Sequence, residues 1–313
     1  MKTILIAVQD SARAHEWVQA FQEQDPSWEV RIWDPSRPAS GAHYAVVWQP
    51  PTSLFEHETN LQAVFNLGAG VDALGIGLTI PTTMPVYRIE DAGMAAQMAE
   101  YALYGVLLAT QRFGAYAAQQ QAKIWQPQPA VLRTDWPIGV MGYGQIGAQV
   151  AHSLAQLGYP VAAWARRART EAPEQVRIYA GNDQLMPFLQ RSRILVNVLP
   201  LTDATRGLIN KKTLAALLPQ SFVINMARGA HIVDADLLAA LDSNHLKGAL
   251  LDVFSTEPLP ADSPLWTHPN IHITPHIAGI SLRQESAQQV LEKLNQLRQG
   301  IEPSGRVDPR YQY

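Results

Sequence analysis

The sequence predicts an α/β protein that contains two parallel β-sheets. Short apolar runs alternate with helix-compatible segments along most of the chain, an order typical of βαβ units. The length of 313 residues indicates about two domains, and a hydrophobic content of 47% is enough to build a core in each. The same content excludes a disordered chain.

The first series of predicted strands lies in an N-terminal α/β unit of roughly 90 residues. A helix is predicted over Ala14–Gln24, and a long Ala-, Gln-, Met- and Leu-rich helix from Ala95 to about Gln121. Gln126-Pro-Gln-Pro129 then breaks any helix. The predicted strands are Ile4–Val8, Val30–Trp33, Ala45–Trp48 and Val64–Leu67.

A second strand series follows, and a last helix is predicted over Leu282–Gln299. The two long helices are predicted to mark the crossings between the domains. We therefore expect residues 1–96 and 283–313 to form one domain and residues 97–282 the other. The second strand series comprises Ile138–Met141, Val161–Ala165, Ile194–Leu199, Phe222–Asn225, Ala249–Phe254 and Ile271–Thr274.

The composition narrows the class of partner. The net charge is -3, only 16% of residues are charged and no basic run occurs, which argues against nucleic acid or an anionic membrane. The chain contains 0 cysteines, so disulfides and thiolate chemistry are excluded. The apolar N-terminal stretch is too short for a signal peptide, and no run has the length of a membrane span. We expect a soluble, cytoplasmic protein.

A glycine-rich loop, Gly142-Tyr-Gly-Gln-Ile-Gly147, directly follows one predicted strand and opens a helix that extends to about Leu157. In this context the pattern predicts a dinucleotide site, whose pyrophosphate lies at the helix N-terminus. The predicted architecture is therefore two Rossmann-like, doubly wound domains. A glycine turn that binds nothing and a loop for S-adenosylmethionine are the alternatives.

The end of the next strand indicates which nicotinamide cofactor is bound. Ala165 stands where an NAD site usually has an acidic residue for the ribose hydroxyl, and Arg166 and Arg167 follow it. Two guanidinium groups suit a 2′-phosphate, so we predict NADPH, with NADH as a weaker cofactor. The alternative is a pair of solvated surface arginines.

Three ionisable residues follow apolar runs in the second half of the chain. Arg228 lies in Asn225-Met-Ala-Arg-Gly229, Glu257 precedes Pro258, and His276 lies in Thr274-Pro-His276. A cation for a carboxylate, a histidine that carries a proton and a carboxylate that favours its charged form suit the reduction of a keto acid. Singly, each could be a structural residue.

These segments resemble the D-isomer-specific 2-hydroxyacid dehydrogenase family, and within it the A-type branch of glyoxylate/hydroxypyruvate reductases. The likeness spans the chain. It includes Trp48-Gln-Pro-Pro51, Leu67-Gly-Ala-Gly-Val-Asp72, Glu90-Asp-Ala-Gly-Met94, Gln97-Met-Ala-Glu-Tyr101, the glycine loop, Leu251-Asp-Val-Phe254, Glu257-Pro-Leu-Pro260, Pro264-Leu-Trp266 and the segments of Arg228 and His276.

The resemblance implies NADPH-dependent reduction of glyoxylate to glycolate and of hydroxypyruvate to D-glycerate, by a homodimer with its active site in a cleft between the domains. Arg228 would bind the substrate carboxylate, His276 would be the general acid and Glu257 would keep it charged. Trp48, Ala69 and Gly70 would also contact the substrate. The predicted cofactor contacts are Gly142, Tyr143, Gly144, Gln145, Ile146, Gly147, Arg166, Arg167, Leu199, Pro200 and Asp252.

Two other functions remain open from the sequence. One is an NAD-linked D-lactate or D-glycerate dehydrogenase of the same family, and the other is a nucleotide-sensing, corepressor-like binding protein. A metal site is not predicted. His268, His272 and His276 recur every four residues, but Pro269 and Pro275 exclude a single helix face.

Overall fold

The computed structural model describes residues 3–8, 10–74, 79–167 and 175–308, and it contains two α/β units. Unit 1 comprises residues 1–94 and 281–313, and unit 2 comprises residues 95–280. All paired strands of the two sheets are parallel, so the predicted fold class is confirmed. None of the helices in the described ranges is long and apolar enough to cross a membrane.

Unit 1 contains a five-stranded sheet of order β2-β1-β3-β4-β5. The order in which the chain adds strands reverses between β1 and β3, although these two strands are parallel. Asp10 caps α1, because its carboxylate accepts hydrogen bonds from the N–H groups of Ala12 and Arg13. Helices α1 and α9 pack against each other. The elements are β1 Thr3–Val8, α1 Ser11–Gln24, β2 Glu29–Ile32, β3 Tyr44–Trp48, α2 Ser53–His57, β4 Ala63–Asn66, β5 Val86–Arg88 and α9 Arg283–Arg298.

Unit 2 contains a seven-stranded sheet of order β12-β11-β10-β9-β6-β7-β8. Its elements are α3 Met94–Thr110 (which starts at the last residue of unit 1), α4 Phe113–Gln121, β6 Ile138–Met141, α5 Gln145–Gln156, β7 Val161–Ala165, β8 Val176–Ala180, α6 Leu185–Leu189, β9 Ile194–Asn197, α7 Lys211–Ala215, β10 Ser221–Asn225, α8 Asp234–Asp242, β11 Leu246–Leu251 and β12 Ile271–Ile273.

The sheet of unit 2 is covered on both faces. Successive residues of β6 point to opposite sides, so Val140 packs in one apolar cluster and Met141 in another. The strand order reverses between β6 and β9. The loops that follow these two strands therefore lie at the switch point, where ligands of doubly wound sheets bind.

The structure corrects the prediction of one helix from Ala95 to Gln121. The helix ends at Thr110, and a second one begins at Phe113. Arg112 between them is left-handed, with φ of 55°, which an α-helix cannot contain. The break contains neither glycine nor proline, so the sequence has no conventional signal for it.

Two strands were missing from the predicted series. β5 is only three residues long and forms one edge of the first sheet, and β8 forms one edge of the second. Edge strands bury less surface, so their apolar pattern is weaker than that of central strands. Several predicted strands are also displaced by a few residues; β9 ends at Asn197 and β11 at Leu251.

Candidate active site

Arg228 lies on the loop that follows β10. Its backbone carbonyl accepts a hydrogen bond from Nδ2 of Asn225 at 3.0 Å, and its guanidinium Nη1 donates to the carbonyl of Ala227 at 2.7 Å. The side chain is half-buried. A guanidinium presents its N–H donors in one plane, which suits it to bind a carboxylate by two parallel bonds.

Gly229 allows the Arg228 loop to contact the loop that follows β11. A Cβ at this position would lie 1.9 Å from the carbonyl carbon of Phe254 and 2.2 Å from the nitrogen of Ser255. Because both are backbone atoms, no side chain can be accommodated by a rotamer change. The contact brings the chain segments of Arg228 and Glu257 together.

His276 and Glu257 form a hydrogen-bonded pair. Nδ1 of His276 lies 2.7 Å from Oε2 of Glu257, while Oε1 of the same carboxylate accepts the backbone N–H of Phe254 at 2.9 Å. The two side chains are 46% and 36% exposed. Because Nδ1 is held by the carboxylate, Nε2 is the ring nitrogen available to a substrate.

Asp252 anchors the loop that carries His276. It is 1% exposed, and its carboxylate accepts hydrogen bonds from Oγ1 of Thr274 at 2.6 Å and from the N–H groups of Ile277 and Ala278, both at 2.8 Å. Its backbone carbonyl accepts the His276 N–H at 2.8 Å. We predicted a cofactor contact here. In the structure, both carboxylate oxygens already accept hydrogen bonds from this loop.

Tyr101 extends this anchor, and the sequence reasoning did not select it as a site residue. Its hydroxyl lies 2.5 Å from Oγ1 of Thr274, the same hydroxyl that bonds Asp252. Burial raises the pKa of Tyr101, and the nearby Asp252 charge adds to this effect. Tyr101 is therefore a neutral hydrogen-bonding residue behind the His276 loop.

The backbone of the glycine loop is shaped for a close ligand approach. Gly142 has φ of 104°, in the left-handed region, and a Cβ at Gly147 would lie 2.1 Å from the carbonyl oxygen of Gly142. At Gly144 nothing lies within 4 Å of an added Cβ, so the space beside the start of α5 is open. Open N–H groups at a helix N-terminus fit a pyrophosphate.

The other predicted cofactor residues occupy different environments. Tyr143 packs in the core and Ile146 is half-buried against it, whereas Gln145 is exposed. Arg166 and Arg167 are both exposed directly after β7, at its carboxyl end. Their position fits the phosphate of an adenine ribose bound along the glycine loop. Residues 168–174, which follow them, lie outside the described ranges.

Two asparagines that the sequence reasoning missed join the loops after β9 and β10. Nδ2 of Asn197 donates to Oδ1 of Asn225 at 2.9 Å, and Oδ1 of Asn197 accepts the Leu199 N–H at 3.2 Å. Each is the last residue of an apolar strand, which was the available signal. Pro200 follows, and its carbonyl accepts Oγ1 of Thr205 at 2.7 Å.

In unit 1, Trp48 and the Gly68–Gly70 loop contact each other. A Cβ at Gly68 would lie 2.3 Å from the Trp48 ring. Asn66, the buried last residue of β4, donates from Nδ2 to the carbonyls of Gly68 at 2.9 Å and Gly70 at 2.8 Å. In a trans peptide the N–H points opposite to the preceding carbonyl, so the N–H of Ala69 faces away from Asn66.

No group of three or more histidine, aspartate or glutamate side chains in the described part of the chain is placed to hold a metal ion. His272 lies in β12, whereas His268 precedes this strand and its Nδ1 accepts the N–H of Asn270. The four-residue spacing of these histidines therefore does not place them on one face of a helix.

The comparisons with known proteins agree with this geometry. The model of the NAD binding domain of D-isomer specific 2-hydroxyacid dehydrogenases matches residues 103–278, which include the glycine loop, Arg228, Glu257 and His276. The chain belongs to this family. The resemblance predicted from the sequence is thereby confirmed.

The relatives within this dehydrogenase family span nearly the whole chain. Glyoxylate/hydroxypyruvate reductase A of Klebsiella pneumoniae strain 342 is 43% identical over 302 residues, which are 95% of this chain and 96% of the relative. The protein of the same name from Salmonella heidelberg strain SL476 is 43% identical over 297 residues, 93% of this chain and 94% of the relative.

Solved structures of the family have the same fold. A dehydrogenase of Xanthobacter autotrophicus Py2, in complex with NADPH and MES, superposes with a TM-score of 0.90 at 36% identity and covers 100% of this chain and 99% of its own. The NADPH-dependent glyoxylate/hydroxypyruvate reductase of Sinorhizobium meliloti, with NADP and sulfate, has a TM-score of 0.91 at 33% identity and covers 100% of both chains.

Proposed function

We propose that the protein reduces small 2-keto acids with NADPH, converting glyoxylate to glycolate and hydroxypyruvate to D-glycerate. The observation that carries this proposal is the 2.7 Å pair of His276 and Glu257, on the unit that also holds Arg228 and the glycine loop. Relatives named as glyoxylate/hydroxypyruvate reductases support the substrate class.

The bound nicotinamide would supply the hydride that adds to the keto carbon. Arg228 binds the substrate carboxylate, and the positive charge of its guanidinium also polarises the keto oxygen. As the carbonyl bond becomes a single bond, negative charge develops on that oxygen. Nε2 of His276 donates a proton to it, which yields the hydroxy acid.

Glu257 keeps His276 in the orientation that this step needs. Its Oε2 holds Nδ1–H at 2.7 Å, and its Oε1 is fixed by the Phe254 N–H. A carboxylate held at both oxygens cannot rotate freely, so Glu257 fixes the orientation of the His276 ring. Glu257 acts through His276 in this scheme.

The cofactor is proposed to lie along the glycine loop, with Arg166 and Arg167 at its 2′-phosphate. The open space at Gly144, the exposed arginine pair and the NADP(H) complexes of two structural relatives support this assignment. Leu199, Pro200 and Asp252 stay predicted contacts at the nicotinamide end. Trp48, Ala69 and Gly70 stay predicted substrate contacts contributed by unit 1.

The finer predictions of assembly and location also stay proposals. We propose a homodimer in the cytoplasm. The family resemblance supports the dimer, as do the exposed apolar side chains of Phe113 at 54% and Trp125 at 101% exposure. The absence of cysteine suits a reducing compartment. Light scattering of the purified protein measures the oligomeric state directly.

A steady-state panel tests the proposed function. Glyoxylate, hydroxypyruvate, pyruvate and 2-ketogluconate are each assayed with NADPH and with NADH. We expect the highest kcat/KM with NADPH and the first two acids. A preference for NADH and pyruvate would instead establish an NAD-linked lactate-type dehydrogenase, and no turnover with any pair would refute the proposed reaction.

A further inference from the structure

Three buried polar side chains join the loop after β9 to the loop after β10 in unit 2. They are Asn197, Asn225 and His231, and each is 0% exposed. Asn197 and Asn225 lie opposite each other in the register of two neighbouring parallel strands. Buried polar groups are costly unless each finds a partner, so a set of three requires an explanation.

On one side, the connection runs through the two asparagines. The Leu199 N–H donates to Oδ1 of Asn197 at 3.2 Å, and Nδ2 of Asn197 donates to Oδ1 of Asn225 at 2.9 Å. Nδ2 of Asn225 then donates to the Arg228 carbonyl at 3.0 Å. A continuous series of bonds thus runs from Leu199 to Arg228.

On the other side, the imidazole of His231 lies between the same two loops, and a neutral imidazole carries an N–H on one of its two nitrogens. Its Nδ1 lies 3.0 Å from the Arg228 carbonyl, and its Nε2 lies 3.2 Å from the Pro200 carbonyl. Leu199 and Pro200 are consecutive, so the series starts and ends at the same turn. We call the side chains of Asn197, Asn225 and His231 the polar ring.

Apart from the contact between Asn197 and Asn225, the polar ring contacts loop backbone. A packing role alone would be met by apolar side chains of similar size, without the desolvation of three polar groups. The ring instead fixes the distance between the Arg228 backbone and the Leu199–Pro200 turn. Under the proposed function these two loops bind the keto acid and the cofactor, respectively.

We propose that His231 is a positioning residue that sets Arg228 relative to the Leu199–Pro200 turn. This inference rests on the proposed function. The two ring nitrogens of His231 face different loops, and an N–H on Nδ1 donates to the Arg228 carbonyl, so substitution can test this contact separately. The amide nitrogen of glutamine reaches the position of Nε2, and that of asparagine reaches the position of Nδ1.

The experiment compares His231→Gln and His231→Asn in steady-state assays with glyoxylate and NADPH. His231→Gln has a donor only at the position of Nε2, so the Arg228 carbonyl loses its donor, and we expect the KM for glyoxylate to rise about 3- to 10-fold, with the KM for NADPH unchanged. His231→Asn has its donor at the position of Nδ1 and should keep the wild-type KM for glyoxylate. If both variants had the KM values of the wild type and only a lower Tm, the proposal would be overturned, because a purely structural residue gives that result.

A double-mutant cycle tests whether His231 acts through Arg228. If it does, His231→Gln added to Arg228→Lys should raise the glyoxylate KM no further than Arg228→Lys alone. If the two substitutions raised the glyoxylate KM independently, so that their effects multiplied, His231 would not act through Arg228. His245→Gln is the matched control, because His245 also bonds one backbone carbonyl, that of Leu214 at 3.0 Å, elsewhere in unit 2. It should change neither KM.

The wild-type assay separates failure of this inference from failure of the proposed function. An inactive wild type refutes the function, and hydrogen exchange then tests the ring. His231→Gln should accelerate exchange of the amides around Arg228 while the Tm and exchange in β6 stay unchanged. Exchange equal to that of the wild type would overturn the positioning role.

Discussion

Replacing Glu257 by glutamine should impair the proton donor while leaving cofactor binding intact. The carboxylate accepts two hydrogen bonds, one from His276 and one from the Phe254 N–H. Glutamine has a single side-chain oxygen, so it can satisfy only one of these donors, and its amide N–H opposes the other. It also lacks the negative charge that lies beside Nδ1 of His276.

The size of the effect follows from the contact with His276. A hydrogen bond to a charged group contributes about 1.5–3 kcal/mol, and the exposure of both side chains favours the lower end. Loss of the His276 contact at about 1.5 kcal/mol corresponds to a roughly tenfold lower kcat/KM.

The assay is steady-state reduction of glyoxylate by NADPH, with circular dichroism to confirm folding. We expect a lower kcat for Glu257→Gln with an unchanged KM for NADPH. Glu257→Asp keeps the charge but is one methylene shorter, so it should lie between the wild type and Glu257→Gln. Glu292→Gln changes an exposed glutamate of α9 and should have no effect. A folded Glu257→Gln enzyme with wild-type kcat would refute the role of Glu257.

The remaining predictions concern the cofactor, the loop in unit 1 and pH. Replacing both Arg166 and Arg167 by Ala should weaken NADPH binding about 10- to 100-fold and NADH binding hardly at all; equal losses would exclude the 2′-phosphate contact. Asn66→Leu removes the amide that holds two loop carbonyls, so it should raise the glyoxylate KM about 3- to 10-fold without changing the NADPH KM. An unchanged glyoxylate KM would argue against a substrate role for that loop. Glu90→Gln should lower the free energy of unfolding at pH 7 by about 3 kcal/mol, because Lys293 is buried beside Glu90. Burial raises the pKa of Glu90, but hydrogen bonds from Ser304 and Lys293 outweigh it, so the pKa lies below its ordinary value. This stabilisation is complete above pH 4.5 and is lost as pH falls through the lowered pKa, so chemical denaturation should show the two proteins converging in acid. A difference that persists in acid would contradict the charge-based explanation.

Local patterns in the sequence carry much of the fold. The central strands of both sheets are continuous apolar runs, because a parallel strand is buried on both faces, and this pattern is visible without a structure. Edge strand β8 and the break at Arg112 have no comparable signal. Arg112 is exposed and left-handed, and its residue type does not indicate that conformation.

The candidate site shows the same division. Arg228, Glu257 and His276 are recognisable from the sequence because each ionisable residue follows an apolar run beside glycine or proline. The sequence also determined the glycine loop, since its spacing between strand and helix is local.

Only the tertiary structure decided which atoms meet. His276 and Glu257 are 19 residues apart in the chain, yet Nδ1 of one lies beside Oε2 of the other. The loop of Arg228 approaches the loop after β11 because Gly229 has no side chain. The same holds for the polar ring and for Asp252, whose carboxylate anchors the His276 loop. Such contacts depend on where separate strands end in one sheet. The hydrophobic pattern of a single segment does not specify those relative positions.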